Sequence, residues 1–207
     1  MMRVVLASNN PGKLREFSAI LGVAGLEMVP QGDLGVSEAE EPYGTFIENA
    51  LAKARHASRA TGLPALADDS GLCVHALRGA PGVHSARYAS LRGGPRSDEA
   101  NNARLMAEMA GRDDRRGSYV AVLAFLRTAE DPRPIVAEGV WDGEVLDQPR
   151  GANGFGYDPY FYLPDLGMTA AELSPARKNI LSHRARALQS LLRSLQGASA
   201  ETVDPNP

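Results

Sequence analysis

The sequence predicts an α/β fold, chiefly from the pattern at its N-terminal end. The apolar segment 4–7 fits a buried strand, and the polar segment 8–12 that follows has the composition of a turn. Apolar residues then recur at helical spacing over 13–21, and 26–29 fits a second strand. Strand, polar loop, helix and strand in this order are typical of an α/β unit.

Two helices are predicted further along the chain from their start signals. The Thr-Phe-Ile-Glu segment 45–48 is a capping box, and the apolar stripe behind it predicts a helix to about Thr61. Lys53 falls largely outside that stripe, so we expect it on the solvated face. Asp98 can cap a second helix that runs through Met109.

Strand patterns dominate the region after these helices. The segment 118–126 is apolar and β-rich, as expected of a central strand, and 135–141 fits another. Asp and Gly suit a type I′ turn, so the segment 141–144 predicts a hairpin. The aromatic segment 160–163 fits a further strand.

The C-terminal region contains two more helix start signals. Thr169 and Glu172 form a second capping box, and Ser174–Pro175 supplies an N-cap followed by a proline at the first helical position. The length suits a single domain over 1–196, and we expect 197–207 to form a disordered tail.

The composition excludes several classes of protein. Lys plus Arg number 22 and Asp plus Glu number 25, a net charge of −3, which gives no basic footprint for a nucleic acid polymer. The single cysteine, Cys73, excludes a disulfide framework. No apolar run approaches the roughly 18 residues of a membrane span, and the N-terminus lacks a signal peptide pattern. We therefore expect a cytoplasmic globular protein.

The first candidate for chemistry is the segment 8–13, where a polar loop meets the start of a helix. A helix N-terminus presents free amides and positive dipole charge, and Lys13 adds a full charge, so the segment suits a phosphate. It lacks the glycine spacing of a P-loop. The alternative is an ordinary strand-to-helix turn with a solvated lysine.

The second candidate is a pair of adjacent carboxylates, Asp68 and Asp69, between two apolar, strand-like segments. Such a pair is costly to bury without a cation or donors, and Mg²⁺ would relieve the repulsion. The alternative is a turn in which one aspartate caps backbone amides. An acidic loop, solvated in the simplest interpretation, could complete a metal site through Glu38, Glu40 or Glu41.

The third candidate is the glycine-rich loop 154–159. Glycines on both sides of Phe155 would let a ligand approach the backbone and leave the ring face open to a base, and Asp158 offers an acceptor. The alternative is a β-turn whose phenylalanine joins the core.

The fourth candidate is the set Lys178, His183 and Arg184. On one continuous helix, His183 and Arg184 would lie about 140° and 240° round from Lys178, so the three could not face one ligand. If they converge, the helix must break, for instance with Ser182 capping a new one. The alternative is a surface helix with ordinary basic residues.

Taken in order, these segments resemble the inosine triphosphate pyrophosphatase family, whose members are also called dITP/XTP pyrophosphatases. The resemblance covers residues 4 to about 195. It departs from the family pattern in two places, since Ser8 stands where many members carry threonine and 42–44 replace a more usual Thr-Gly stretch. The matching segments are 7–13, 45–50, 67–72, Gly82 with 85–88, 154–159 and 182–184.

The resemblance implies an elongated two-lobed α/β fold, with a long, curved mixed sheet flanked by helices and a nucleotide cleft between the lobes. It also implies a homodimer. The implied reaction is hydrolysis of a purine nucleoside triphosphate at the α-phosphorus, with Mg²⁺, to the monophosphate and pyrophosphate. The implied substrates are ITP, dITP, XTP and dXTP, whose removal keeps them out of DNA and RNA.

The resemblance also assigns roles to single residues. Asp69 and Glu40 would hold Mg²⁺, and Asp69 would orient or deprotonate the attacking water with support from Asp68. Phe155 would stack on the purine, while donors at its 6-oxo group would exclude adenine, which carries an amino donor there. The implied substrate-binding residues are Ser8, Asn9, Asn10, Pro11, Gly12, Lys13, Ser70, Phe155, Gly156, Tyr157, Asp158, Lys178, His183 and Arg184.

Two alternative functions stay open at this point. A pyrophosphatase for other modified or standard nucleotides would use the same phosphate chemistry. A nucleotide-binding regulator without turnover would not need a carboxylate pair at the α-phosphate. Hydrolysis rates on different nucleoside triphosphates would distinguish the first alternative from the implied function. An assay for released product would distinguish the second, because a regulator releases none.

Overall fold

The structure is a computed structural model that describes residues 1–200, with side chains described through residue 197. Five α-helices lie within these residues: α1 (Pro11–Leu21), α2 (Phe46–Thr61), α3 (Asp98–Met109), α4 (Pro175–Leu181) and α5 (His183–Ala200). The strands within them are β1 (Met2–Leu6), β2 (Leu26–Pro30), β3 (Ala65–Val74), β4 (Arg116–Leu126), β5 (Ile135–Val145), β6 (Phe161–Leu163) and β7 (Met168–Thr169).

The strands form one mixed sheet in the order β2-β1-β3-β4-β5-β6-β7. Strand β1 pairs in parallel with both β2 and β3, whereas β6 pairs antiparallel with β5 and β7. The predicted α/β class is therefore confirmed. No helix among the described residues combines the length and apolarity needed to cross a membrane.

The chain divides into two compact units. The first comprises Met1–Asp69, Val122–Gly139 and the chain from Ala185, and the second comprises Ser70–Ala121 and Val140–Arg184. One boundary lies between Asp69 and Ser70, inside strand β3.

Alanines on α2 and aliphatic residues on β1 form much of the core of the first unit. Val5 and Leu6 are fully buried, as are Ala50, Ala54 and Ala57 along one face of α2. Helix α2 begins where the capping box predicts, because the Thr45 hydroxyl accepts from the Glu48 amide. Burying each large aliphatic side chain contributes about 1.5–3 kcal/mol.

Aromatic and aliphatic side chains fill the core of the second unit. Leu72, Leu105 and Trp141 are buried around Phe161. The ring of Tyr119 meets Phe161 edge to face at a centroid distance of 4.6 Å. This packing anchors β6, which precedes the C-terminal helices.

The predicted hairpin at 141–144 is wrong, because β5 runs without interruption from Ile135 to Val145. Gly143 is needed here for close packing rather than for a turn. A Cβ on Gly143 would lie 2.5 Å from the Tyr162 carbonyl oxygen and 2.7 Å from the Phe161 ring. The exposed Asp142 accepts a hydrogen bond from the Ser118 hydroxyl at 2.6 Å, so it too belongs to a strand.

Two predicted helix starts need correction. Ser97, not Asp98, is the N-cap of α3, since its hydroxyl accepts from the Ala100 amide. Glu172 accepts from the Thr169 amide as in a capping box, but Thr169 is the last residue of β7 and no helix starts there. Its hydroxyl donates to the Arg150 carbonyl oxygen. The helix begins instead after Ser174.

The break predicted near Ser182 is confirmed. Helix α4 ends at Leu181, Ser182 is extended (φ −66°, ψ 161°), and α5 begins at His183. Helix α5 continues to Ala200, so it includes the first four residues of the predicted tail; residues 201–207 lie outside the described part of the chain.

Candidate active site

Asp68 and Asp69 lie inside strand β3, not in a turn, and each is paired with a different lysine. Lys13 of α1 binds Asp68 Oδ2 at 2.8 Å, and Lys53 of α2 binds Asp69 Oδ1 at 2.8 Å. Consecutive side chains of a strand point to opposite faces. The two carboxylates are therefore separated by the pleat and balanced by separate cations, which allows both to be buried.

Lys53 belongs to this cluster, a position that the helical pattern missed. Its Nζ also binds Glu41 Oε1 at 2.7 Å, and its side chain is only 12% exposed, contrary to the expected solvated position. Asn49, one turn earlier on α2, donates to Asp69 Oδ2 at 3.3 Å. A polar pair at i and i+4 on an otherwise alanine-lined helix was the available signal.

Burial sets the acid–base character of this cluster. Burial raises the pKa of the Asp69 carboxyl, and the nearby Glu41 and Asp68 carboxylates act in the same direction while Lys53 opposes them. For Lys53, burial acts to lower the pKa, but Asp69 and Glu41 outweigh it and the pKa is raised. Lys53 therefore remains a cation, and Asp69 is a more basic carboxylate than an exposed one.

The acidic loop reaches this cluster through Glu41 rather than Glu40. Glu40 is exposed, and its role as a metal ligand stays a prediction. Among side chains described through residue 197, no three acidic, histidine or cysteine groups form a ready-made metal site. Two carboxylates that converge on one cation nevertheless suit Mg²⁺, which is commonly held by one or two carboxylates together with substrate phosphates and water.

The loop before α1 is internally bonded. Asn10 is the N-cap of α1, and its Oδ1 accepts from the amides of Gly12 at 2.8 Å and Lys13 at 3.2 Å. The Ser8 hydroxyl accepts from the Asn10 amide, and Asn9 Oδ1 accepts from the Gly32 amide at 2.9 Å. A phosphate at this helix start would compete with the Asn10 side chain for the same amides. Lys13 is not a solvated lysine, since it binds Asp68.

In the second unit, Phe155 is presented to solvent by its loop. Phe155 is 62% exposed, so it does not join the core. The buried Asp158 accepts from the Phe155 amide at 2.9 Å and also binds the Lys178 ammonium. That ammonium lies 4.8 Å from the centre of the Phe155 ring, a cation–π geometry. Lys178 is thus part of the support of Phe155.

Tyr157, His183 and Arg184 of this unit are buried, whereas Ser70 and Gly156 are partly buried. Tyr157 is 3% exposed and donates to the Ser85 carbonyl oxygen at 2.8 Å. The His183 ring stacks on Tyr119 at a centroid distance of 4.7 Å, and the Arg184 guanidinium donates to the Ser70 hydroxyl at 3.3 Å. The helix break therefore brings His183 and Arg184 to the first turn of α5.

The first unit holds buried carboxylates with paired lysines beside a helix start. These groups suit the binding and hydrolysis of phosphates. The second holds an exposed ring on a glycine-rich loop, which suits a nucleobase. Fold and side chains together define an α/β protein of the nucleotide-processing class. The sequence profile of the Ham1 family matches residues 4–194, and the chain belongs to the Ham1 family.

Relatives cover nearly the whole chain. The dITP/XTP pyrophosphatase of Ralstonia nicotianae is 67% identical over 196 residues, 95% of this chain and 98% of the relative. That of Nitrosomonas europaea is 57% identical over 207 residues, 100% of both chains. The solved structure of a HAM1 protein from Coxiella burnetii is similar at a TM-score of 0.90 and 46% identity, covering 95% of this chain and 100% of that one. The family resemblance of the motifs is confirmed.

Proposed function

We propose that this protein hydrolyses ITP, dITP, XTP and dXTP to the monophosphate and pyrophosphate, which keeps these nucleotides out of DNA and RNA. Relatives that match its full length carry the name dITP/XTP pyrophosphatase. The observation that carries the proposal is the Asp69 carboxylate, buried in β3 and held by Lys53 and Asn49. A regulator without turnover has no use for a basic carboxylate fixed in this way.

Asp69 activates the attacking water. The water oxygen bonds to the α-phosphorus, one proton passes to Asp69, and the bond from that phosphorus to the α–β bridging oxygen breaks, which releases pyrophosphate. The raised pKa of Asp69 suits a group that accepts a proton in this step. Lys53 holds the Asp69 carboxylate in one orientation through the 2.8 Å contact.

The charges of the triphosphate are met by basic side chains, a hydroxyl and helix amides. Lys13 and the amides at the start of α1 bind phosphate oxygens, with the Asn10 side chain giving up its contacts to those amides. Asp69 and Glu40 would hold Mg²⁺, which when bound would neutralise phosphate charge. Glu41 ties the acidic loop to Lys53, and Glu40 is its neighbour in the chain. Ser70 and Lys178 complete the proposed phosphate ligands.

Residues of the second unit select the base. Phe155 stacks on the purine, and His183 and Arg184 donate to the 6-oxo group of hypoxanthine or xanthine. Both residues lie in the first turn of α5, where the positive end of the helix dipole favours a partner with negative charge. Adenine places an amino donor at this position, which leaves buried donors facing another donor.

The protein is further proposed to act in the cytoplasm as a homodimer, as the family resemblance implies. Its net charge of −3 favours a free nucleotide over a nucleic acid polymer as the partner.

A screen of purified protein tests the proposal. ITP, XTP, GTP, ATP and dTTP are supplied with Mg²⁺, and monophosphate is resolved from diphosphate. We expect IMP and XMP with pyrophosphate, formed faster than the products of the other nucleotides. Equal rates on all five nucleotides would support the broader pyrophosphatase, and binding without products would support the regulator.

A further inference from the structure

Helix α3 forms hydrogen bonds with both main-chain polar atoms of Gly156. The Gly156 amide donates to Asp98 Oδ2 at 2.7 Å, and the Asn102 side-chain amide donates to the Gly156 carbonyl oxygen at 2.9 Å. Asp98 and Asn102 are four residues apart, so they share one face of α3. The helix thus meets the glycine-rich loop through two side chains at a single residue.

The residue that these two hydrogen bonds position is Phe155. Its own amide is held by Asp158 at 2.9 Å, and the next amide along the chain is held by Asp98. Because Phe155 is 62% exposed, core packing does not fix the direction of its ring. The direction of the ring therefore depends on the backbone at Phe155 and Gly156 and on the ammonium of Lys178.

The backbone at Gly156 needs such a restraint. Its φ is +61°, in the left-handed region, and glycine has no side chain to limit its conformation. A loop that is already fixed in the bound conformation avoids an ordering cost on binding. Asn102 is buried, whereas Asp98 is exposed, so the contact of α3 with Gly156 is shielded at the carbonyl oxygen and open to solvent at the amide.

We infer that Asp98 and Asn102 are positioning residues for purine recognition, and that they act through Gly156 to hold Phe155 in its stacking orientation. The inference rests on the proposed role of Phe155 in binding the base. Neither residue touches the substrate, and neither belongs to the Asp69 cluster. Their loss should therefore raise KM for ITP while kcat stays near its original value.

A double-mutant cycle tests this inference. The variants are Asp98→Ala, Phe155→Ala and the double variant, with KM and kcat for ITP measured for each. Asp98→Ala removes one hydrogen bond and should raise KM about three- to tenfold. In the Phe155→Ala background the same change should alter KM by less than about twofold, because no ring is left to position. Asp98→Asn keeps an acceptor oxygen and should restore KM.

Glu99→Ala is the matched control, since Glu99 lies in the same first turn of α3 and is exposed. It should leave KM unchanged. If Phe155→Ala raises KM but the Asp98→Ala effect multiplies with it, or if Glu99→Ala has an equal effect, the positioning role is overturned and stacking survives. If Phe155→Ala leaves KM unchanged, the stacking role in the proposed function fails and the positioning role fails with it.

Discussion

The Lys53 ammonium donates to Asp69 Oδ1 at 2.8 Å across 16 positions of sequence. The same ammonium binds Glu41, so a single cation from α2 joins the acidic loop to the acidic strand β3. The Glu41 and Asp69 carboxylates would repel each other without the Lys53 ammonium. The contact explains how Asp69 can be buried, basic and fixed in orientation at once, which are the properties required of a group that activates water.

Asp69→Asn should keep the fold and lose most activity. The change is nearly isosteric, but it removes the proton acceptor, and general acid–base help is typically worth about 10²–10⁴-fold. The measurement is kcat/KM for ITP at saturating Mg²⁺. Asp165→Asn, at an exposed site, should have no effect. Activity of Asp69→Asn within a few-fold of the original protein would refute the assignment.

Lys13→Ala should weaken binding of every nucleoside triphosphate to the same degree, since a phosphate contact carries no information about the base. KM for ITP, XTP and GTP should rise in parallel. Arg15→Ala, two residues further along α1 and exposed, is the control for loss of charge. A change in the ITP-to-GTP ratio larger than the loss on either substrate would contradict the role.

Arg184→Ala should reduce the preference for ITP over ATP. A charge-assisted hydrogen bond to the 6-oxo group is worth about 1.5–3 kcal/mol, so the ratio of kcat/KM values should fall roughly ten- to a hundredfold. ATP never receives that bond and should be less affected. Should both substrates fall in parallel, Arg184 would be a phosphate ligand or would act structurally through its contact with Ser70.

Gly143→Ala should destabilise the fold. The new Cβ would overlap the Tyr162 carbonyl oxygen and the Phe161 ring, and such overpacking typically costs about 1–3 kcal/mol. The free energy of unfolding in urea measures this cost. Gly22→Ala is the comparison, because its Cβ would meet nothing within 4 Å at a φ of −58°. Equal stability of the two variants would show that β5 is not packed as described.

Features that depend on neighbouring residues could be predicted from the sequence, whereas features that depend on contacts with distant residues could not. The break at Ser182 could be predicted from helix geometry together with the premise, supplied by the family resemblance, that Lys178 and Arg184 share one ligand. The hairpin at Gly143 could not be excluded locally, because the glycine is required by contacts with β6. Lys53 was misplaced for the same reason, since its partners Glu41 and Asp69 meet it only after folding.

Hydrolysis in water labelled with ¹⁸O tests the central claim most directly, namely that water attacks the α-phosphorus of the nucleotide. ITP is turned over with Mg²⁺, and both products are analysed by mass spectrometry. We expect one labelled oxygen in the inosine monophosphate and none in the pyrophosphate. Label in the pyrophosphate, or release of inosine diphosphate with labelled phosphate, would contradict it.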